Sequence, residues 1–189
     1  MKKIFLILFL LGKTSLYAEP VKNFGVVTPF VYRGARVDSE DDFKFLNEQG
    51  IYTIINLRTK LHPDDNELCE KYNMKCAIFP ILLLWRTDKN FDYKMLQKAF
   101  AYLIKKTNKE EKVYIHCHYG SDRTGALSAA VTIRENACFQ EEYDAEALSK
   151  KITTDLKNHG FHRSAFPILY KTIQSWAFEI PQWVCDDYK

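Results

Sequence analysis

Residues 113–125 read VYIHCHYGSDRTG, and the order of residue types in this stretch decides the fold. Val113 to Ile115 are β-branched or aromatic and suit a buried strand leading into His116. A short polar loop follows, and from Thr124 to Glu135 the composition becomes that of a helix. Between strand and helix stand Cys117 and Arg123, separated by five residues. Successive backbone N–H groups in such a loop can converge on one anion, and a helix N-terminus adds partial positive charge. Arg123 offers a planar fork to two oxygens of that anion, and a cysteine at a helix N-terminus is a reactive one. Gly120 can take the positive φ that tight curvature demands. Thr124 can give its hydroxyl to the cysteine sulfur. His118, Tyr119, Gly120, Ser121, Asp122 and Arg123 form the expected phosphate cradle.

Outward from this segment, strands alternate with helices. Phe24 to Arg33 reads as one or two short strands around Pro29, and Asp38 or Ser39 can cap a helix running to about Gln49, stopped by Gly50. Ile51 to Leu57 reads as a buried strand, Asp64 to Tyr72 as a short helix, and Lys75 to Phe79 as a strand ended by Pro80. Residues 80–90 form a loop holding Trp85, Arg86 and Asp88. Phe91 to Lys106 has helical apolar spacing, and Glu141 to about Phe178 reads as two further helices parted near Gly160 and Pro167. The expected class is α/β: a central, mostly parallel sheet flanked by helices, with the site at the carboxyl ends of the strands.

The first residues stand apart from that pattern. Lys2 and Lys3 precede an apolar run from Ile4 to Leu11, and Ala18 offers a cleavage point before Glu19. Residues 1–18 are therefore expected to be a secretory signal peptide, with 19–189 as a single domain. The run falls far short of the ~20 apolar residues that span a bilayer, so no stable membrane span is expected after cleavage. The protein is expected to be exported, periplasmic or secreted, and monomeric. The chain has 27 Lys+Arg and 24 Asp+Glu, and loss of Lys2, Lys3 and Lys13 with the signal equalises them. Net charge gives no support to nucleic-acid binding, and anion recognition must be local.

The five cysteines are Cys69, Cys76, Cys117, Cys138 and Cys185. An odd number leaves at least one thiol free if pairing is intramolecular. Cys69 and Cys76 can pair if geometry allows. His116 and His118 flank Cys117, but neighbouring strand residues point to opposite faces and no matching ligand pair stands elsewhere. Neither a metal nor another cofactor is expected.

The string HCxxGxxRTG resembles the signature loop of the protein tyrosine phosphatase superfamily, Cys-x5-Arg-Ser/Thr, with His116 before it and Gly125 after it. Residues 24–58, FGVVTPFVYRGARVDSEDDFKFLNEQGIYTIINLR, resemble the opening of bacterial dual-specificity-like phosphatases, through Tyr32-Arg33 and Leu57-Arg58. That group is similar to the plant and fungal atypical dual-specificity phosphatases and to the cysteine phytases. The resemblance covers most of residues 24–136.

It implies a cysteine-phosphatase fold and metal-independent hydrolysis of a phosphate monoester through a cysteinyl-phosphate. Cys117 is the expected nucleophile and Arg123 the clamp, supported by His116 and Thr124. The family takes the leaving-group proton from an Asp on a separate loop. Asp88 is the first candidate, Asp122 the alternative, and Asp92 a third. The expected partner is a small phosphorylated substrate. An inositol polyphosphate needs several cations around a wide mouth, which Arg58, Lys60, Arg86, Lys89 and His118 can supply. A phosphoprotein or phosphoinositide remains the alternative substrate, and a phosphate-binding pseudophosphatase or a sulfurtransferase the alternative class.

Overall fold

The computed structural model describes residues 21–59, 65–84 and 90–188. The chain enters through an antiparallel pair, β1 (Gly25–Thr28) and β2 (Val31–Gly34), joined by a turn at Pro29. Helix α1 (Glu40–Glu48) follows, then β3 (Thr53–Asn56), α2 (Asp65–Lys71) and β4 (Lys75–Ile78). Helix α3 (Tyr93–Thr107) leads to β5 (Val113–His116), and the rest is helical: α4 (Asp122–Ala137), α5 (Ala145–Asn158), α6 (Pro167–Ser175) and α7 (Gln182–Cys185).

The five strands form one sheet in the order β1-β2-β5-β3-β4. Among the described residues only the β1–β2 pairing is antiparallel; β5 runs parallel to both neighbours, and β3 to β4. β5 is the central strand, and all four of its residues are buried. Its side chains alternate, as the period of a strand requires. Val113 and Ile115 pack into the core beneath α3–α7, whereas Tyr114 packs into a second core with Phe43 and Leu46 of α1 and Cys69 of α2. The sheet is thus covered on both faces, which parallel strands require.

The expected alternation and class hold, with local differences. Phe91 lies ahead of α3, whose first turn is capped by Asp92 accepting the backbone N–H of Met95 at 2.9 Å. Helix α4 begins at Asp122 rather than after Arg123, so Arg123 sits inside its first turn. The short α7 was not expected: four residues carry too little periodicity to be read. It is anchored by tertiary contacts, with Cys185 bonded to Cys138 and Arg134 Nη1 donating to the carbonyls of Val184 at 2.8 Å and Asp186 at 2.9 Å. A second disulfide, Cys69–Cys76, joins α2 to β4. Among the described residues no helix is long and apolar enough to cross a membrane.

Candidate active site

Cys117 directly follows β5 at the carboxyl edge of the sheet, and α4 begins five residues later at Asp122. Its side chain is buried, and it is the one cysteine outside the two disulfides. The free thiol that the odd count requires therefore falls on the expected nucleophile.

The loop's carbonyls are anchored from outside. The carbonyl of His116 accepts from the Leu57 N–H at 2.8 Å and that of His118 from the Arg36 N–H at 3.3 Å. The carbonyl of Tyr119 accepts from Asn23 Nδ2 at 2.9 Å, and that of Gly120 from Arg33 Nη2 at 2.7 Å. In a trans peptide the C=O and the following N–H point in opposite directions, and the described residues contain no cis bond. Holding these carbonyls outward turns the N–H groups of Tyr119, Gly120 and Ser121 toward the loop's concave side. Consecutive amides facing one way make an anion-binding nest.

The helix beneath adds to it. Helices α1, α3 and α5 begin with a side chain accepting a first-turn N–H, from Ser39, Asp92 and Asp144. Helix α4 has no such cap, because Ser121 Oγ donates instead to Asp122 Oδ2 at 3.0 Å. Its first-turn amides are left for an anion at the positive end of the helix dipole.

Gly120 is where the loop bends, with φ at +73°. A Cβ there would lie 2.3 Å from the carbonyl carbon of Gly34 and 2.6 Å from the nitrogen of Ala35. Only glycine fits both the left-handed backbone and this close approach to the chain leaving β2.

Arg123 leans from the first turn of α4 across the ends of two strands. Its Nη1 donates to the carbonyl of Leu57 at 3.3 Å and that of Ile81 at 3.4 Å. Fixing one nitrogen orients the planar fork. His116 is fully buried, stacked on Tyr114 with ring centroids 5.8 Å apart, and its Nδ1 lies 3.2 Å from the Cys117 carbonyl. A carbonyl only accepts, so Nδ1 carries the proton. Burial lowers the His116 pKa to about 4, with Arg58 and Arg123 adding to the shift, so the ring is neutral near pH 7.

One expected role reads differently in three dimensions. Thr124 Oγ1 is buried without a hydrogen-bond partner, so its expected bond to the Cys117 sulfur is not made. Asp122 is nearly buried and well occupied: it accepts the Ser121 hydroxyl and the backbone N–H of His162 at 2.8 Å, and its Oδ2 lies 3.0 Å from His162 Nδ1. That carboxylate joins the start of α4 to the segment after α5. Asp92 is likewise engaged, as the α3 cap. Asp88, Lys60, Arg86 and Lys89 lie outside the described residues.

The rim is cationic. His118 is partly exposed and its pKa is lowered, first by burial and then by the charges of Arg36, Arg58 and Arg123. The positive charges of Arg36, Arg58 and Arg123 act on its ring, offset in part by Asp38. The Arg58 side chain is only 12% exposed, so it is no free surface residue, and Nη1 lies 3.9 Å from Asp38 Oδ1. A cavity of about 430 Å³ opens beside the loop, lined by Lys22, Arg36, Asp38, Ser39, His118 and Tyr119 among others. Asp38 is paired with Arg36 there. Arg33, Arg36, Asn23 and His162 were missed as site residues: Arg33 stood within the Tyr32-Arg33 pattern, while the others gave no sequence signal. Among the described residues no three His, Cys, Asp or Glu side chains are grouped as a metal site requires.

A family model described as "Tyrosine phosphatase family" matches residues 19–147. Solved structures share the fold. The core catalytic domain of the PP-IP phosphatase SIW14 from S. cerevisiae, with citrate, is 19% identical, with a TM-score of 0.61 over 86% of this chain and 87% of that one. A putative phosphatase from Shewanella putrefaciens CN-32 is 15% identical, with a TM-score of 0.61 over 83% and 89% of the two chains. A cysteine-to-serine variant of P. aeruginosa TpbA in complex with pTyr is 17% identical, with a TM-score of 0.53 over 86% and 98%. A comparison with curated protein sequences finds no match.

Proposed function

Given that the chain belongs to the tyrosine phosphatase family and is a cysteine-based phosphatase, we propose that it hydrolyses an inositol polyphosphate, with Cys117 as nucleophile and Arg123 as phosphate clamp. The Cys117 thiolate attacks phosphorus, the bond to the ester oxygen breaks, and a cysteinyl-phosphate forms. Water then attacks phosphorus, the P–S bond breaks, and inorganic phosphate and the thiolate are released. The amides of Tyr119, Gly120 and Ser121, the uncapped start of α4 and the Arg123 fork stabilise the equatorial oxygens, the main catalytic contribution in phosphoryl transfer. The leaving oxygen takes a proton from Asp88, which then accepts one from the attacking water.

The observation that carries the substrate class is the cavity beside the loop, where Lys22, Arg36 and His118 stand together and Arg58 Nη1 lies 3.9 Å from the lining Asp38. Arg123 serves the phosphate being cleaved. Arg36 and Arg58, with Lys22, suit a substrate bearing further phosphates. The yeast protein of the same fold is described as a PP-IP phosphatase, which agrees with this reading, whereas the P. aeruginosa structure holds pTyr. Export fits two disulfides in one domain, since such bonds persist in oxidising compartments.

The test is a substrate panel of phytate, a phosphotyrosine peptide and a phosphoinositide, with para-nitrophenyl phosphate as the class control. Phytate should have the highest kcat/KM, and Arg36→Ala should raise its KM far more than that of para-nitrophenyl phosphate. A preference for the peptide or lipid, with phytate untouched, overturns the substrate while leaving the phosphatase intact.

A further inference from the structure

A closed circuit of side chains lies behind the loop. Arg33 of β2 is fully buried, and its Nη2 donates to the Gly120 carbonyl at 2.7 Å while Nη1 pairs with Asp155 of α5. Asp155 Oδ1 lies 3.5 Å from Nε2 of His159, the residue closing α5. Nδ1 of His159 lies 2.8 Å from Asn23 Oδ1, and Asn23 Nδ2 donates to the Tyr119 carbonyl at 2.9 Å and the His159 carbonyl at 3.1 Å. The circuit thus leaves the loop at Gly120 and returns at Tyr119. The His159 ring lies against β1, where a Cβ on Gly25 would meet its Cε1 at 2.6 Å.

Two members, Arg33 and Asn23, are held in unusual settings. A guanidinium loses its hydration when buried, and burial lowers the Arg33 pKa against the opposing charge of Asp155. Asn23 has φ at +56°, a left-handed conformation. The loop has a corresponding need. Gly120 is free to rotate its peptides, and a flip at either one would aim a carbonyl, instead of an N–H, at the bound anion.

We propose that Arg33, Asp155, His159 and Asn23 are positioning residues that hold the Tyr119 and Gly120 carbonyls outward and thereby set the loop's affinity for a phosphate dianion. The inference rests on the phosphatase reading of the site. None of the four touches the reacting atoms; they act through the two loop carbonyls, and they couple β1, β2 and α5 to the site.

Two variants at Asn23 test it. Asn23→Gly keeps the left-handed backbone and removes the donor, while Asn23→Asp keeps the size and replaces the donor by an acceptor. The probe is inorganic phosphate, read by the concentration that half-protects Cys117 from alkylation by iodoacetate, with kcat and KM for para-nitrophenyl phosphate beside it. Both variants should need about tenfold more phosphate, the scale of one lost orienting hydrogen bond, with KM rising in step. A melting temperature within a few degrees of wild type will show that the fold is kept. Half-protection within twofold of wild type in both variants overturns the inference alone. A wild-type protein that phosphate does not protect and that leaves para-nitrophenyl phosphate intact overturns the phosphatase reading, and the inference with it.

Discussion

The carboxylate of Asp122 accepts the backbone N–H of His162 at 2.8 Å, forty residues along the chain. With the Ser121 hydroxyl and the His162 ring also on it, this group fastens the start of α4. Asp122→Asn should therefore lower kcat/KM for para-nitrophenyl phosphate and for an alkyl phosphate by similar factors, and lower stability by roughly 2 kcal/mol through weakened charge-assisted bonds. Asp88→Asn should instead impair the alkyl substrate selectively, because para-nitrophenolate leaves without a proton. Steady-state kinetics on both substrates checks this; selectivity appearing in Asp122→Asn transfers the acid role to it.

Cys117→Ser should abolish turnover and leave the urea midpoint nearly unchanged, since the buried thiol makes no disulfide. A tenth of wild-type kcat would be too much for the mechanism. Arg123→Lys should lose at least about 100-fold, because an ammonium cannot hold the Leu57 and Ile81 carbonyls and also present a planar fork.

Gly120→Ala combines a left-handed backbone with contacts of 2.3 and 2.6 Å to the chain at Gly34 and Ala35. Both are backbone atoms and cannot swing aside. Destabilisation of roughly 3 kcal/mol or more is expected, with loss of activity at temperatures where the variant is still folded. Equilibrium urea unfolding measures the first and single-turnover kinetics the second.

His116 gives stability a pH dependence. Its pKa is near 6.5 when unfolded and about 4 when folded, so between those values the unfolded chain binds the extra proton. Stability contributed by the neutral ring is complete above pH 6.5 and is lost as pH falls toward 4, by up to roughly 3 kcal/mol. His118 and His159 are shifted the same way and add to the slope. Unfolding free energies at pH 4.5, 5.5 and 7 should converge between wild type and His116→Asn as the pH drops. Parallel curves would show that His116 is not the group responsible.

Denatured, unreduced protein should titrate one thiol with Ellman's reagent, and reduced protein five. The Cys138–Cys185 bond closes a separation of 47 residues and Cys69–Cys76 one of 7, so chain entropy assigns them about 4 and about 2 kcal/mol. Cys138→Ser/Cys185→Ser should accordingly lower the melting temperature more than Cys69→Ser/Cys76→Ser. The reverse order would show that native-state effects outweigh loop closure.

Local patterning in the sequence was enough for the layers and for the strand–loop–helix that carries Cys117. The strand within Ile51–Leu57, the helix cap at Asp38 or Ser39 and the strand–loop–helix around Cys117 each state their own structure, because strand burial, capping and tight turns depend on neighbours in sequence. Gly120 was legible for the same reason. What assembles around that loop was not. Asn23, Arg33, Asp155 and His159 come from separate places in the chain and meet only because β2 pairs with β5 and α5 packs on α4. The partner of Asp122 lies beyond α5, so nothing near Asp122 in sequence announced its bond to His162. The pairing of the cysteines had the same character: an odd count required a free thiol, but only the folding of α7 against α4 decided that Cys185 meets Cys138 and that Cys117 stays free. Periodicity and turn chemistry are local and can be read along a chain, whereas a hydrogen bond between distant side chains exists only once packing has brought its donor and acceptor together.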